Sequence, residues 1–111
     1  MPVSTFNSYQ VLAGRYALYP EAGTSSPLAL AYCALGLTGE SGEYSEKVKK
    51  LLRDGKYNKA EAAKELSDVL WYLTACAKEN GFTLQDIAEI NLVKLADRAE
   101  RGMLQGNGDN R

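Results

Sequence analysis

Apolar positions recur along this chain at three- and four-residue steps, which predicts helices and no convincing strand. Over residues 3–19, Phe6, Tyr9, Leu12, Ala13, Tyr16 and Tyr19 mark a first helix, weakened at Gly14 and stopped by Pro20. Residues 21–26 hold Gly23, Thr24 and two serines and read as a loop. Ser26 as N-cap and Pro27 in the first helical position open a second helix that runs to about Arg53, with Gly55 as its stop. Residues 28–37 are almost wholly apolar and are expected to be buried on most sides. Beyond them Tyr44, Val48, Leu51 and Leu52 oppose Lys47, Lys49, Lys50 and Arg53. After a turn at 55–57, Asn58 with Glu61 makes a capping-box-like start to a third helix reaching about Glu79. Its broad apolar face comprises Ala62, Leu66, Val69, Leu70, Leu73 and Ala77, and Asn80 and Gly81 end it. Thr83 caps a fourth helix, with Asp86 in its first turn and an end near Gly102. The Gly/Asn-rich residues 105–111 are expected to be irregular. Four helices joined by short loops imply an all-α, four-helix antiparallel bundle.

Length and composition narrow the function. A chain of 111 residues suits a single domain with a small core, one that oligomerisation would help. A net charge of −1 carries no basic excess for binding a nucleic-acid backbone. No apolar run reaches membrane-spanning length and the N-terminus lacks a secretion signal, so a cytoplasmic protein is expected. Cys33 and Cys76, in apolar helical patterns and without CxxC spacing, read as buried small hydrophobes. Histidine is absent. That removes histidine-dependent nucleophilic catalysis, HExxH zinc sites and the Glu-x-x-His ligands of di-iron bundles. Any metal must be held by oxygen, which points to magnesium, manganese or calcium.

Two acidic pairs then stand out, Glu40/Glu43 and Glu65/Asp68, each at helical i, i+3 spacing with 21 residues between them. On antiparallel helices four carboxylates can face one another, where they either take up protons or bind cations. Gly36, Gly39 and Gly42 share a stripe beside the first pair. They imply a bend or a close helix approach, or room for ions and phosphate oxygens. Tyr72, one turn past Asp68, and Trp71 either stack on a nucleobase or belong to the core. Asn91, Lys94 and Arg98 recur at i, i+3, i+7, either as a phosphate grip or as a solvated face paired with Asp97 and Glu100. Glu46 reads most simply as a solvated charge and Glu61 as a capping residue.

The Glu40-Ser-Gly-Glu43 and Glu65-Leu-Ser-Asp68 motifs resemble the ExxE and ExxD motifs of the MazG-like, all-α nucleoside triphosphate pyrophosphohydrolases, and residues 91–98 look like that family's C-terminal helix motif. The resemblance covers roughly residues 27–101 of a single 1–111 domain, with 102–111 as a tail. It implies Mg2+-dependent hydrolysis (Mn2+ as substitute) between the α- and β-phosphates of a nucleotide substrate, by a homodimer or homotetramer. Glu40, Glu43, Glu65 and Asp68 would be metal ligands, Asn91, Lys94 and Arg98 substrate contacts, with Tyr72 beside them. Glu43, next to the glycine stripe, is the favoured residue to activate water. The competing readings are a non-catalytic oligomerisation or metal-binding module, and the same site acting on a nucleoside diphosphate, an alarmone or a phosphoribosyl nucleotide.

Overall fold

Local capping decides where each helix begins. In a computed structural model, which describes residues 2–102 and 108–109, Thr5 opens the first helix through a reciprocal box. Its Oγ1 accepts the Ser8 N–H at 2.9 Å, and Ser8 Oγ accepts the Thr5 N–H at 3.2 Å. This helix, α1 (Phe6–Ala13), is shorter than the 3–19 expected from periodicity. Gly14 is its C-cap, and Gly14–Tyr16 tighten into a 3₁₀ turn that leads the chain away before Pro20 is reached. Helix α2 (Pro27–Asp54) starts as expected, with Ser26 Oγ accepting the Ala29 N–H at 3.1 Å, and ends at Gly55, whose φ of +70° favours glycine. Helix α3 (Lys59–Glu79) begins at Asn58, whose side chain accepts from Ala60 and Glu61. The Glu61 carboxylate does not reach back to the cap but faces Lys47 Nζ at 3.7 Å. Helix α4 (Leu84–Glu100) carries the Thr83/Asp86 capping box. No strand is present among the described residues, so the chain is all-α. The irregular tail expected at 105–111 lies outside the described residues except for Gly108 and Asp109.

Helices α2 and α3 form an antiparallel hairpin that supplies most of the tertiary packing. Two contacts set its register. Tyr72 lies against Gly36, where a Cβ would overlap its ring, and Lys47 reaches Glu61. The contacts are eleven residues apart on both helices, so the pairing runs without a slip over about 16 Å of helix. Helix α1 docks across the α3–α4 turn. Gln10 accepts the Leu84 N–H at 2.8 Å, and the Trp71 indole donates to the Ala13 carbonyl at 3.1 Å.

The interior is built from small residues. Ala29, Cys33 and Ala75 gather around Tyr19, flanked by Trp71 and Cys76, while Ala62 and Ala77 are buried elsewhere along α3. Both cysteines are free; Cys33 is buried as expected, whereas Cys76 is only partly covered. The expectation that residues 28–37 are buried on most sides does not hold for the lone chain. Ala29 and Cys33 are sealed, but Leu28 and Tyr32 are exposed and Leu35 is 73% exposed. The reason is geometric: α3 covers one stripe of α2, and neither α1 nor α4 runs along its other flank. Val93 on α4 is likewise 70% exposed. The radius of gyration, 16.3 Å, exceeds the roughly 13 Å of a compact chain of this length.

One buried charge ties the loop before α2 to the end of α3. Glu79, 1% exposed, accepts the Tyr19 hydroxyl, the Gly23 N–H at 2.7 Å and the Ser25 N–H at 2.9 Å. Between these anchors Glu21 and Ser25 adopt φ of 57° and 59°, a region that side chains other than glycine occupy at some cost. Burial pushes the Glu79 carboxyl up, but the three hydrogen bonds and the Lys78 charge outweigh it and leave it below the usual range.

Candidate metal centre

The hairpin register brings the acidic pairs level. Counting from the Gly36–Tyr72 and Lys47–Glu61 contacts, Glu40 stands opposite Asp68 and Glu43 opposite Glu65. Glu40, Glu65 and Asp68 each offer a carboxylate oxygen within 4.8 Å of the others. Oxygens around one octahedral Mg2+ lie about 3 Å (adjacent) to 4.2 Å (opposite) apart, so small side-chain rotations close the group to coordinating distance. Burial pushes the Glu40 carboxyl up, and the negative charges of Asp68, Glu65 and Glu43 push it further in that order. A cation relieves this repulsion, and an all-oxygen donor set suits a hard one. Glu43 is exposed and stands outside the three-carboxylate group, close enough for its charge to act on Glu40.

These motifs sit inside the part of the chain that other proteins share. Residues 30–103 match the MazG nucleotide pyrophosphohydrolase domain. The chain belongs to the MazG family. It is also similar to the gene 37 protein of Mycobacterium phage L5, at 41% identity over 109 residues, covering 93% of this chain and 96% of that protein. No solved structure matches it significantly. All four acidic residues of the MazG motifs, together with Tyr72 and the Asn91/Lys94/Arg98 stripe, fall inside the matched region.

Beside the carboxylates this MazG domain presents an aromatic wall. Of the three stripe glycines, Gly36 is the one pressed by a neighbour, the Tyr72 ring, while Gly39 and Gly42 face open space. Tyr72 meets Trp71 edge-on at 5.0 Å, Trp71 meets Tyr19 edge-on at 6.2 Å, and Tyr19 stacks on Tyr32 at 5.6 Å. Burial, then the nearby Tyr32 and Glu40, raise the Tyr72 phenol. Trp71 is the core residue of the pair. Tyr32 was not singled out by the sequence reading, although its place one turn before Gly36 and two before Glu40 puts it on the same stripe.

The remaining polar candidates are arranged less directly. Glu46 makes an exposed ion pair with Lys49 at 3.4 Å, as a solvated charge would, whereas the Glu61 carboxylate pairs with Lys47 across the hairpin instead of capping α3. On α4, Asn91 is exposed, Lys94 is half-buried and Arg98 is only 5% exposed. The two cations do not pair with Asp97 and Glu100 as a solvated face would. Both converge on Asp109, while Asp97 holds Arg101 at 2.9 Å. No hydrogen bond or ion pair among the described residues joins Lys94 or Arg98 to the acidic group. No helix among them is long and apolar enough to cross a membrane.

Proposed function

We propose that this MazG protein hydrolyses a nucleoside triphosphate between its α- and β-phosphates, in the cytoplasm, giving the nucleoside monophosphate and pyrophosphate with Mg2+ as cofactor. The observation that carries the reading is the convergence of Glu40, Glu65 and Asp68 on one point of the hairpin, inside a nucleotide pyrophosphohydrolase domain. Glu40, Glu65 and Asp68 hold the ion, and Mn2+ can substitute. An ion held there would supply polarisation of the phosphate oxygens and charge neutralisation at the anhydride. Glu43, exposed and outside the ligand group, orients the attacking water and takes its proton. Tyr72 contacts the base or sugar from the aromatic wall. Asn91, Lys94 and Arg98 bind the phosphate chain, with the two cations balancing charge on the departing pyrophosphate.

A homodimer or homotetramer fits the open shape and the apolar side chains left exposed on α2 and α4. Incubation of the purified protein with Mg2+ and a panel of nucleotides, with monophosphate, pyrophosphate and phosphate measured separately, tests the reaction. Monophosphate and pyrophosphate in equal amounts are expected. Phosphate in place of pyrophosphate refutes the cleavage position, and no turnover across a broad panel refutes the enzyme.

A further inference from the structure

Arg98 is a nearly sealed guanidinium whose polar end is engaged by the chain itself. Its Nη2 donates to the Asp109 carbonyl at 2.9 Å and to Asp109 Oδ1 at 3.2 Å. Lys94 Nζ donates to the same Oδ1 at 3.0 Å. The Asp109 side chain is 79% exposed, whereas that of Arg98 is 7% exposed. A built, preorganised cation pair is thus closed by a carboxylate that solvent reaches from outside. One carboxylate oxygen shared by a guanidinium and an ammonium reproduces the contacts these groups make with a phosphate oxygen. The hydrogen bonds from Lys94 and then Arg98 hold the Asp109 carboxyl below its usual range, so it is charged at neutral pH.

We propose that Lys94 and Arg98 form an anion site for a phosphate or pyrophosphate group that Asp109 occupies in the free protein, making Asp109 an internal competitor of the substrate. This rests on the assignment of Lys94 and Arg98 to the phosphate chain. Binding requires the carboxylate to leave, so apparent affinity falls by the fraction of molecules already open. A saturating nucleotide displaces the Asp109 carboxylate completely. The contact therefore raises KM and leaves kcat alone.

Asp109→Asn and Asp109→Ala in the full chain test this, because they remove the charged contact and keep the backbone carbonyl. Pyrophosphate binding is measured by calorimetry in metal-free buffer, where the acidic group repels the ligand and contributes no affinity. Both variants are expected to bind pyrophosphate about three- to tenfold more tightly, and to lower KM for the Mg2+–nucleotide by a similar factor at unchanged kcat. Unchanged or weaker pyrophosphate binding overturns the proposal, as does tightening that survives Arg98→Gln or, should that variant not fold, Lys94→Met. Should no nucleotide be turned over, the reaction assigned above fails while tighter pyrophosphate binding still establishes the competition by Asp109.

Discussion

Substituting Glu79 by glutamine probes how the loop entering α2 is held. The carboxylate accepts three hydrogen bonds, with Oε2 taking the Tyr19 hydroxyl and the Gly23 N–H and Oε1 taking the Ser25 N–H. An amide placed to keep its oxygen at the first pair turns its own N–H groups toward Ser25, so one bond is lost and a donor is left facing a donor. The two bonds that survive fall from charge-assisted to neutral strength. Weakening two bonds by about 1 kcal/mol each and stranding one donor at about 1–3 kcal/mol gives a loss of roughly 3–5 kcal/mol. That is a large share of the roughly 5–15 kcal/mol typical of a domain. Melting followed by helical circular dichroism at one fixed protein concentration is expected to show a drop of about 10–20 °C. The effect also has a pH signature. Folding depresses the Glu79 carboxyl, so its contribution is complete above the ordinary carboxylate range and is lost as pH falls below about 4.3. The gap between wild type and variant therefore closes in acid. A drop of under 3 °C at neutral pH, or a gap that does not narrow on acidification, refutes the latch.

The other expectations concern the hairpin and its acidic group. Gly39→Ala and Gly42→Ala meet open space and should each stabilise the chain by about 0.5–1 kcal/mol in denaturant melts, whereas Gly36→Ala sets overpacking of about 1–3 kcal/mol against the same helix gain and should be neutral to destabilising. Destabilisation by Gly39→Ala would contradict this and mean that another surface covers the stripe. Glu40→Gln should weaken Mg2+ binding in calorimetry and abolish turnover, yet raise the melting temperature in metal-free buffer because one of the repelling charges is gone; unaltered Mg2+ affinity removes Glu40 from the ligand set. Glu43→Gln should lower kcat by about 10²- to 10⁴-fold while Mg2+ binding is kept, and full activity in this variant excludes the proton-accepting role.

What was legible in the sequence follows from the range of each interaction. Ser26 with Pro27, Gly55, Asn58 and Thr83 mark boundaries through contacts within four residues, and all four stand where the side chains placed them. The i, i+3 acidic pairs are equally local, and periodicity alone puts each pair on one face. The end of α1 was misjudged because its apolar spacing continues through the 3₁₀ turn, where periodicity cannot register a tighter winding. The burial of residues 28–37 was overstated because an apolar helix says that it needs neighbours, not which flanks this chain covers by itself. Two features had no local signal at all. Glu79 is a helix-end acid until the loop folds onto it, and Asp109 lies in a Gly/Asn-rich stretch eleven residues from the guanidinium it engages.

The unbroken α2–α3 register also bears on how hairpins of this kind can change length. Lengthening one arm between its carboxylates and the turn by a single residue rotates that arm about 100° and swings its acids off the shared face. Adding one turn to each arm carries the 55–58 connection outward by about 5.4 Å and, to within the small angular remainder of 3.6, leaves Glu40 opposite Asp68. The side chains of residues 49–61 all stand exposed at that end, so nothing among the described residues blocks such growth. Matched insertions in the two arms are therefore the tolerated route to a longer spacer, and a deletion in one arm alone is the change that dismantles the acidic group.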